Sequence, residues 1–443
     1  MIFKQAPGGV HPHYGKELSA GKPILEYLPQ GEMVFPLSQH IGKPAKPVVK
    51  KGDPVLAGQI IAEADGFVSA NIICSCSGKV KNIERRLTAG GTLADCIVID
   101  NDGEYSAIEG IGVKSELSDL SDKDIMDRIK AAGIVGLGGA GFPTHVKLTP
   151  PDPAKIDTLI INGAECEPYI TCDDYLMCNH PDWIRGGIQV LKRLFPRAGV
   201  AVCTEDNKPK AVKAMQEMAA TMEGVEVFAA QTRYPVGCEK PLIAALTGRH
   251  LTARELPASA GCIVCNVTTV SAIYRAVLRN TPLMEKFFTI SGDAVADPKN
   301  ICVRIGCSYR ETLEAAGGLK AVPKKVICGG PMMGTAVSSL DIPIVKANNA
   351  LLCFAEDEVE QAEKRATNCI HCGRCSRACP QGLVPSMMAD AALKKDYDRY
   401  ENLLHGLECY ACGSCTFECP ARRPLMQIFK QTKATIMASK QKR

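Results

Sequence analysis

The chain has 443 residues, 46% of them hydrophobic and 23% charged, with a net charge of +4. That length suggests about three domains of ordinary soluble composition. The small net charge and an aromatic content of 5% give no electrostatic or stacking basis for nucleic-acid binding. The outlying number is 22 cysteines. The first residues, MIFKQAPGGVHPHYGK, lack the apolar core of a signal peptide, and no apolar run reaches the roughly 18 residues of a membrane span. Together these features predict a cytoplasmic chain with reduced thiols, not a disulfide framework.

In chain order, residues 36–100 read as short β elements punctuated by Gly and Pro: KPVVKKGDPVLAGQIIAE, then GFVSANIICSCSGKVKNIE. The two similar halves resemble the barrel-sandwich of biotinyl/lipoyl-type domains. The turn around Asp65-Gly66-Phe67 has no lysine to modify, so a structural module is expected. SDKDIMDRIKAAG, from Ser121, has a capped helical period. TLIIN (158–162) and VAVCTE (200–205) read as strands, and WIRGGIQVLKRLF and KPKAVKAMQEMAATM as helices. That alternation predicts an α/β domain with a largely parallel sheet. Residues 287–345 return to β character around FFTISGDAV and KKVICGG, with a helix at YRETLEAAGG. Residues 355–443 read as helical and polar around clustered cysteines.

Cys369, Cys372, Cys375 and Cys379 form C-x2-C-x2-C-x3-C followed by Pro380; Cys409, Cys412, Cys415 and Cys419 repeat it before Pro420. Soft thiolates at this spacing suit [4Fe–4S] clusters, and three from a tight loop can face one cube. The fourth ligates the other cluster. One cube is therefore expected on Cys369, Cys372, Cys375 and Cys419, the other on Cys409, Cys412, Cys415 and Cys379. Most of the remaining fourteen cysteines read as small buried hydrophobes. The tail from Arg422 to Arg443 carries seven Lys or Arg and no acidic residue, which suits a solvated helix or a docking surface.

Gly136-Leu137-Gly138-Gly139-Ala140-Gly141 satisfies G-x-G-x-x-G, yet a helical segment precedes it and Phe142-Pro143-Thr144 follows. The strand-to-helix setting of a Rossmann loop is missing, although glycines and Lys147 can still cradle a phosphate. The wider stretch resembles the NADH-binding flavoprotein subunit of respiratory complex I: GLGGAGFPTHVK (136–147), INGAECEP (161–168), YPVGCEKPLIAAL (234–246) and CNVTTV (265–270). That resemblance implies an FMN site. Gly136, Gly138, Gly139 and Lys147 would hold the phosphate or ribityl chain. Asn162 and Glu165 would lie beside the ring, and Gly237, Glu239, Asn266 and Thr269 would close the pocket. Phe142, Glu167 and Tyr234 would face NADH. Against that family, Leu137 replaces an arginine, Ala164 an aspartate, Cys166 a serine, Cys238 a glutamate and Cys265 an asparagine.

The order of modules, from GGVHP through the flavin block to the two clusters, resembles the C subunit of the Rnf ferredoxin:NAD⁺ oxidoreductase complex. The resemblance implies a multidomain α/β chain. Residues 1–110 would be the barrel-sandwich, 111–285 the FMN/NADH-binding domain, 286–350 a β-grasp-like (SLBB) module and 351–443 the ferredoxin-like domain. It implies FMN and two [4Fe–4S] clusters as cofactors and NAD(H) as substrate. The other Rnf subunits would be partners at the cytoplasmic face of the membrane, in a complex that moves Na⁺ or H⁺. A cobalamin reductase of the propanediol-utilisation type resembles the chain only from the glycine loop onward, and a non-catalytic electron relay is the other alternative.

Overall fold

The computed structural model describes residues 8–252 and 255–441. Strands Met33–Pro36, Leu93–Asn101, Gly78–Leu87 and Pro54–Val55 lie in that order in one sheet. A smaller sheet of Lys46–Pro47, Ile60–Glu63 and Ile72–Ile73 faces it. Met33, Phe35, Ile61, Ile72 and Ile97, all without exposed surface, fill the space between them. This is the barrel-sandwich expected from the two β units, with the Asp65-Gly66-Phe67 turn at its tip and Phe67 exposed.

A helix then runs over Asp122–Ala131. Ser121 caps it by accepting from the Asp124 N–H while the Asp124 carboxylate accepts from the Ser121 N–H, a capping box. Beyond it, strands Thr158–Gly163, Gly199–Glu205, Val225–Ala230 and Cys262–Asn266 build an all-parallel sheet. Across the sheet the order is Val225–Ala230, Gly199–Glu205, Thr158–Gly163, Cys262–Asn266. The order therefore reverses between Thr158–Gly163 and Cys262–Asn266. Helices Pro181–Leu194 and Pro209–Ala219 each begin on a proline, whose missing N–H costs nothing at that position. Helix Pro181–Leu194 lies against Val267–Leu278 so closely that a Cβ at Gly187 would sit 2.1 Å from the Val270 carbonyl oxygen.

The third sheet crosses the expected domain boundaries. Its order is Leu25–Tyr27, Lys299–Arg304, Glu285–Ser291, Ala350–Phe354, Lys325–Cys328 and Thr335–Ala336. An N-terminal strand thus belongs to the third module, and a boundary between 350 and 351 would cut the strand Ala350–Phe354. Strand Glu285–Ser291 pairs with Lys299–Arg304, so a boundary after 285 falls at its first residue. Phe288, Ile290, Ile301 and Val303 share one core with Met33, Phe35 and Ile97. The strand Leu25–Tyr27 was invisible to alternation because so few residues carry too little period. In the last module, helices Pro385–Leu393 and Leu425–Gln441 pack through Met388, Leu425 and Phe429. Among the described residues no helix is long and apolar enough to cross a membrane.

Two buried lysines stitch these modules together. Lys346 is 1% exposed; its ammonium donates to the Gly133 carbonyl at 2.7 Å and to that of Asn71. Lys286 donates to the Lys346 carbonyl at 2.8 Å. Burial lowers the Lys346 amine to about 7 and that of Lys286 to about 8.

Candidate functional site

Open parallel sheets bind ligands beyond the carboxyl ends of their strands, at the point where strand order reverses. Here that point is flanked by Asn162, near the end of Thr158–Gly163, and Asn266, the last residue of Cys262–Asn266. The glycine loop enters from outside the sheet, not from a strand, so it is no Rossmann turn. It folds back through Gly136 N–H to the Phe142 carbonyl (2.8 Å) and Gly141 N–H to the Gly136 carbonyl (3.0 Å). The buried Leu137 N–H reaches Thr269 Oγ1 at 2.9 Å, which pins the loop over the helix Val267–Leu278. Leu137 itself is 1% exposed and packs with Val135, Leu283 and Ile305. That explains an apolar residue where the resembling family has arginine: the side chain points inward.

Gly138, Gly139 and Ala140 open toward solvent, and a Cβ at Gly139, whose φ is +106°, would meet nothing within 4 Å. The loop thus offers backbone to an open space, the cradle a phosphate-bearing cofactor needs. A Cβ at Gly138 would lie 3.0 Å from that of Asn266, so the loop and the switch-point strand touch there. Lys147, in the short helix Thr144–Lys147 that follows, bonds Glu239 at 3.1 Å and the Val264 carbonyl at 2.7 Å. Burial disfavours its charge, but Glu239 outweighs that and holds the ammonium above its ordinary value. Asn162 donates to the Gly237 carbonyl (2.9 Å) and accepts from the Ala164 N–H (3.1 Å). Asn266 donates to Asp173 at 2.6 Å. The structure therefore brings Gly136, Gly138, Gly139, Lys147, Asn162, Gly237, Glu239, Asn266 and Thr269 to one crevice, where the polar side chains mostly brace one another.

The loop 164–170 carries two carboxylates with unusual protonation. Glu165, at φ +48°, accepts from the Asp173 N–H at 2.6 Å at the start of the helix Cys172–Asn179. Burial pushes it up to about 8, against the nearby Lys16 ammonium. Glu167 accepts from the N–H groups of Met332 (3.1 Å) and Met333 (2.8 Å), and burial raises it to about 7. Phe142 remains partly exposed beside the loop. Tyr234 is different: it has no exposed surface, and its hydroxyl donates to the Cys412 carbonyl at 2.7 Å. The reading of Tyr234 as a face for NADH is corrected by that burial; the ring fills the seam between the crevice and the cysteine domain.

Sequence reasoning missed Lys16. Its ammonium donates to the carbonyls of Glu165 (2.9 Å), Glu167 (2.9 Å) and Ile170 (2.6 Å), fixing the whole loop from 149 or more residues away. It also missed the ion pair of Lys208 and Glu205 (2.6 Å), buried under the same loop, with Lys208 bonding the Ala164 carbonyl. Both lysines sit in unremarkable local sequence, and only long-range packing gives them partners. In the cysteine domain, Cys379 lines one cavity together with Cys409, Cys412 and Cys415, Met426 and Phe429. These four thiols, drawn from both runs, suit one cubane. Cys375 is buried, Cys369 and Cys419 are partly exposed and Cys372 is exposed.

Known proteins share this whole arrangement of modules. The C subunit of a proton-translocating ferredoxin:NAD(+) oxidoreductase complex from Clostridium ljungdahlii is 44% identical over 98% of this chain and 94% of its own length. The chain belongs to the C-subunit family of ion-translocating ferredoxin:NAD⁺ oxidoreductases. The C subunit of the Na(+)-translocating complex from Acetobacterium woodii is 39% identical over 98% of both chains. Four family models match in order: the RnfC barrel sandwich hybrid domain (4–104), the Nuo51 FMN-binding domain (129–275), the SLBB domain (287–336) and a 4Fe-4S dicluster domain (362–420). Among solved structures, an NAD⁺-reducing [NiFe]-hydrogenase in its H2-reduced state shares the fold. It has a TM-score of 0.50 and 19% identity, over 73% of this chain and 62% of that one. The matched modules coincide with the sandwich, the parallel-sheet domain, the third sheet and the cysteine-bearing helices.

Proposed function

We propose that this chain is the NAD(H)-reacting flavoprotein subunit of its complex, exchanging a hydride between nicotinamide and FMN and relaying single electrons through two [4Fe–4S] clusters. The observation that carries the reading is the adjoining of two sites in one chain: a cradle at a switch point and cavities lined by cysteine thiols. Bound FMN supplies the conversion between two-electron hydride chemistry and one-electron cluster chemistry.

The chain's own groups orient and polarise. The exposed backbone of Gly136, Gly138 and Gly139 and the cationic Lys147 would receive the phosphate or ribityl chain. Asn162 and Glu165 would border the ring, and Gly237, Glu239, Asn266 and Thr269 would hold the crevice walls. Phe142 and Glu167 remain the residues placed to meet the nicotinamide substrate. Glu165, raised to about 8, keeps its proton at neutral pH and so adds no negative charge beside a reduced flavin. Cys369, Cys372, Cys375 and Cys419 would hold one cluster, and Cys409, Cys412, Cys415 and Cys379 the other. Other subunits of the complex, membrane-embedded ones and the one that meets ferredoxin, would exchange electrons with this chain at the cytoplasmic face.

The test is direct. After anaerobic reconstitution with iron, sulfide and FMN, NADH should bleach the flavin absorbance and reduce the clusters. A protein that retains no FMN, or whose spectrum NADH leaves unchanged, would sink the reading.

A further inference from the structure

The two clusters are not placed alike. Tyr234, in the loop that also carries Gly237, donates to the carbonyl of Cys412. Gly413 lies where a Cβ would be 3.2 Å from the carbonyl oxygen of Met332, whose own N–H bonds Glu167. On the other flank, Gly9 donates to the Ala378 carbonyl, and a Cβ at Gly8 would sit 2.5 Å from the carbonyl oxygen of Cys379. Val10 exchanges both backbone hydrogen bonds with Tyr234, closing the seam. The cavity of Cys379, Cys409, Cys412 and Cys415 is thus gripped by three other modules. By contrast, the loop 369–375 bonds only within its own domain: His371 N–H to Cys369 Sγ and the Arg377 guanidinium to the Cys372 carbonyl. Cys372 is exposed, with Ile370 (62%) and Phe417 (50%) beside the runs also open to solvent.

We infer that electrons pass between flavin and protein at the cluster of Cys379, Cys409, Cys412 and Cys415, through the Tyr234 seam, and between this chain and its redox partner at the cluster of Cys369, Cys372, Cys375 and Cys419. This ordering rests on the proposed flavin function. Electron tunnelling decays exponentially with distance and is favoured by tightly packed, hydrogen-bonded atoms, which the seam provides and the open loop does not. In the NADH-oxidising direction a hydride brings two electrons and one proton to the flavin. Each electron leaves singly, reducing the seam cluster by one charge, then the open cluster, then an oxidised iron–sulfur or flavin centre of the partner subunit. The proton goes to water. The route runs in reverse when ferredoxin is the donor. Tyr234 is a positioning residue in this route: its hydrogen bond fixes the peptide of a cluster ligand, and such bonds tune cluster potential.

The experiment uses the full reconstituted chain with a dissolved gadolinium chelate, which broadens the EPR signal of an exposed cluster more than that of a buried one. Rapid mixing with NADH and freezing should show the protected signal first and the broadened signal later. The reverse order, or simultaneous appearance with no difference in broadening, overturns the inference. Two variants give a second reading, each with iron counted and dithionite used to confirm the cluster that remains. In Cys409→Ala, NADH reduction of the remaining cluster should slow by about tenfold or more. In Cys372→Ala it should stay within about twofold of the parent. Equal rates in the two variants refute the order. Tyr234→Phe should shift the midpoint potential of the protected cluster and leave the exposed one unmoved; a shift of both, or of neither, removes Tyr234 from the route. Flavin bleaching in the same traces separates failure of this ordering from failure of the flavin reading itself.

Discussion

Lys346→Met offers a quantitative test of how the glycine loop is anchored. In the folded chain the Lys346 amine sits near 7 because burial disfavours its charge; unfolded, it returns to 10.5. Between those values the unfolded state binds more protons, so stability from this group is fully present above 10.5 and is lost as pH falls toward 7. At about 1.4 kcal/mol per pH unit well inside the window, the wild-type chain gains about 2 kcal/mol from this group between pH 7 and pH 9. Methionine cannot titrate, so it lacks that gain. It also leaves the Gly133 and Asn71 carbonyls without their donor, at about 1–3 kcal/mol each. The variant should therefore be less stable at both pH values, with a gap that widens by about 2 kcal/mol from pH 7 to pH 9. Urea unfolding followed by the fluorescence of the single tryptophan, Trp183, reports the flavin-binding module in which Gly133 roots the loop. A gap that stays constant with pH would refute the reasoning.

Other outcomes follow from the same contacts. Lys16→Met removes one donor from three carbonyls of the 165–170 loop, so FMN retention on gel filtration should fall and the unfolding midpoint should drop, by the equivalent of about 3 kcal/mol. Glu167→Gln should flatten the pH dependence of stability between about 4.5 and 7. Over that window the wild-type carboxyl loses stability as pH rises, because its folded value is the higher one. Cys379→Ser should reproduce the EPR and iron-content defect of Cys409→Ser, and Cys419→Ser that of Cys369→Ser; matching within one run instead would disprove the crossed ligation. Gly8→Ala should loosen the cysteine domain, since its Cβ would sit against the Cys379 carbonyl, and limited proteolysis near residue 360 should quicken.

The α/β domain and the cysteine runs were legible because their signals are local. Thr158–Gly163 begins as an apolar run, Ser121 announces its helix by hydrogen-bonding its own neighbours, and ligand spacing is written directly in the chain. The glycine loop could be found by pattern, but what it leans on could not. Thr269, which holds the Leu137 N–H, lies 132 positions away. Tyr234 was misplaced for a related reason. An aromatic between polar blocks reads as a ligand surface, while its actual role depends on a contact with Cys412, 178 residues on. The third sheet was mis-bounded because its edge strand, Leu25–Tyr27, comes from the far side of the barrel-sandwich. Long-range pairing of that kind leaves no period in the sequence.

The strand Leu25–Tyr27 also bears on biogenesis. Its neighbour in the sheet, Lys299–Arg304, leaves the ribosome some 270 residues later, and the Ala378 carbonyl that takes the Gly9 N–H comes later still. At the roughly 5–20 residues per second of translation, the first thirty residues wait many seconds without a partner. The parallel-sheet module completes itself in that interval. The leading segment then closes over a nearly finished chain, so iron and sulfide can be loaded before the door is shut.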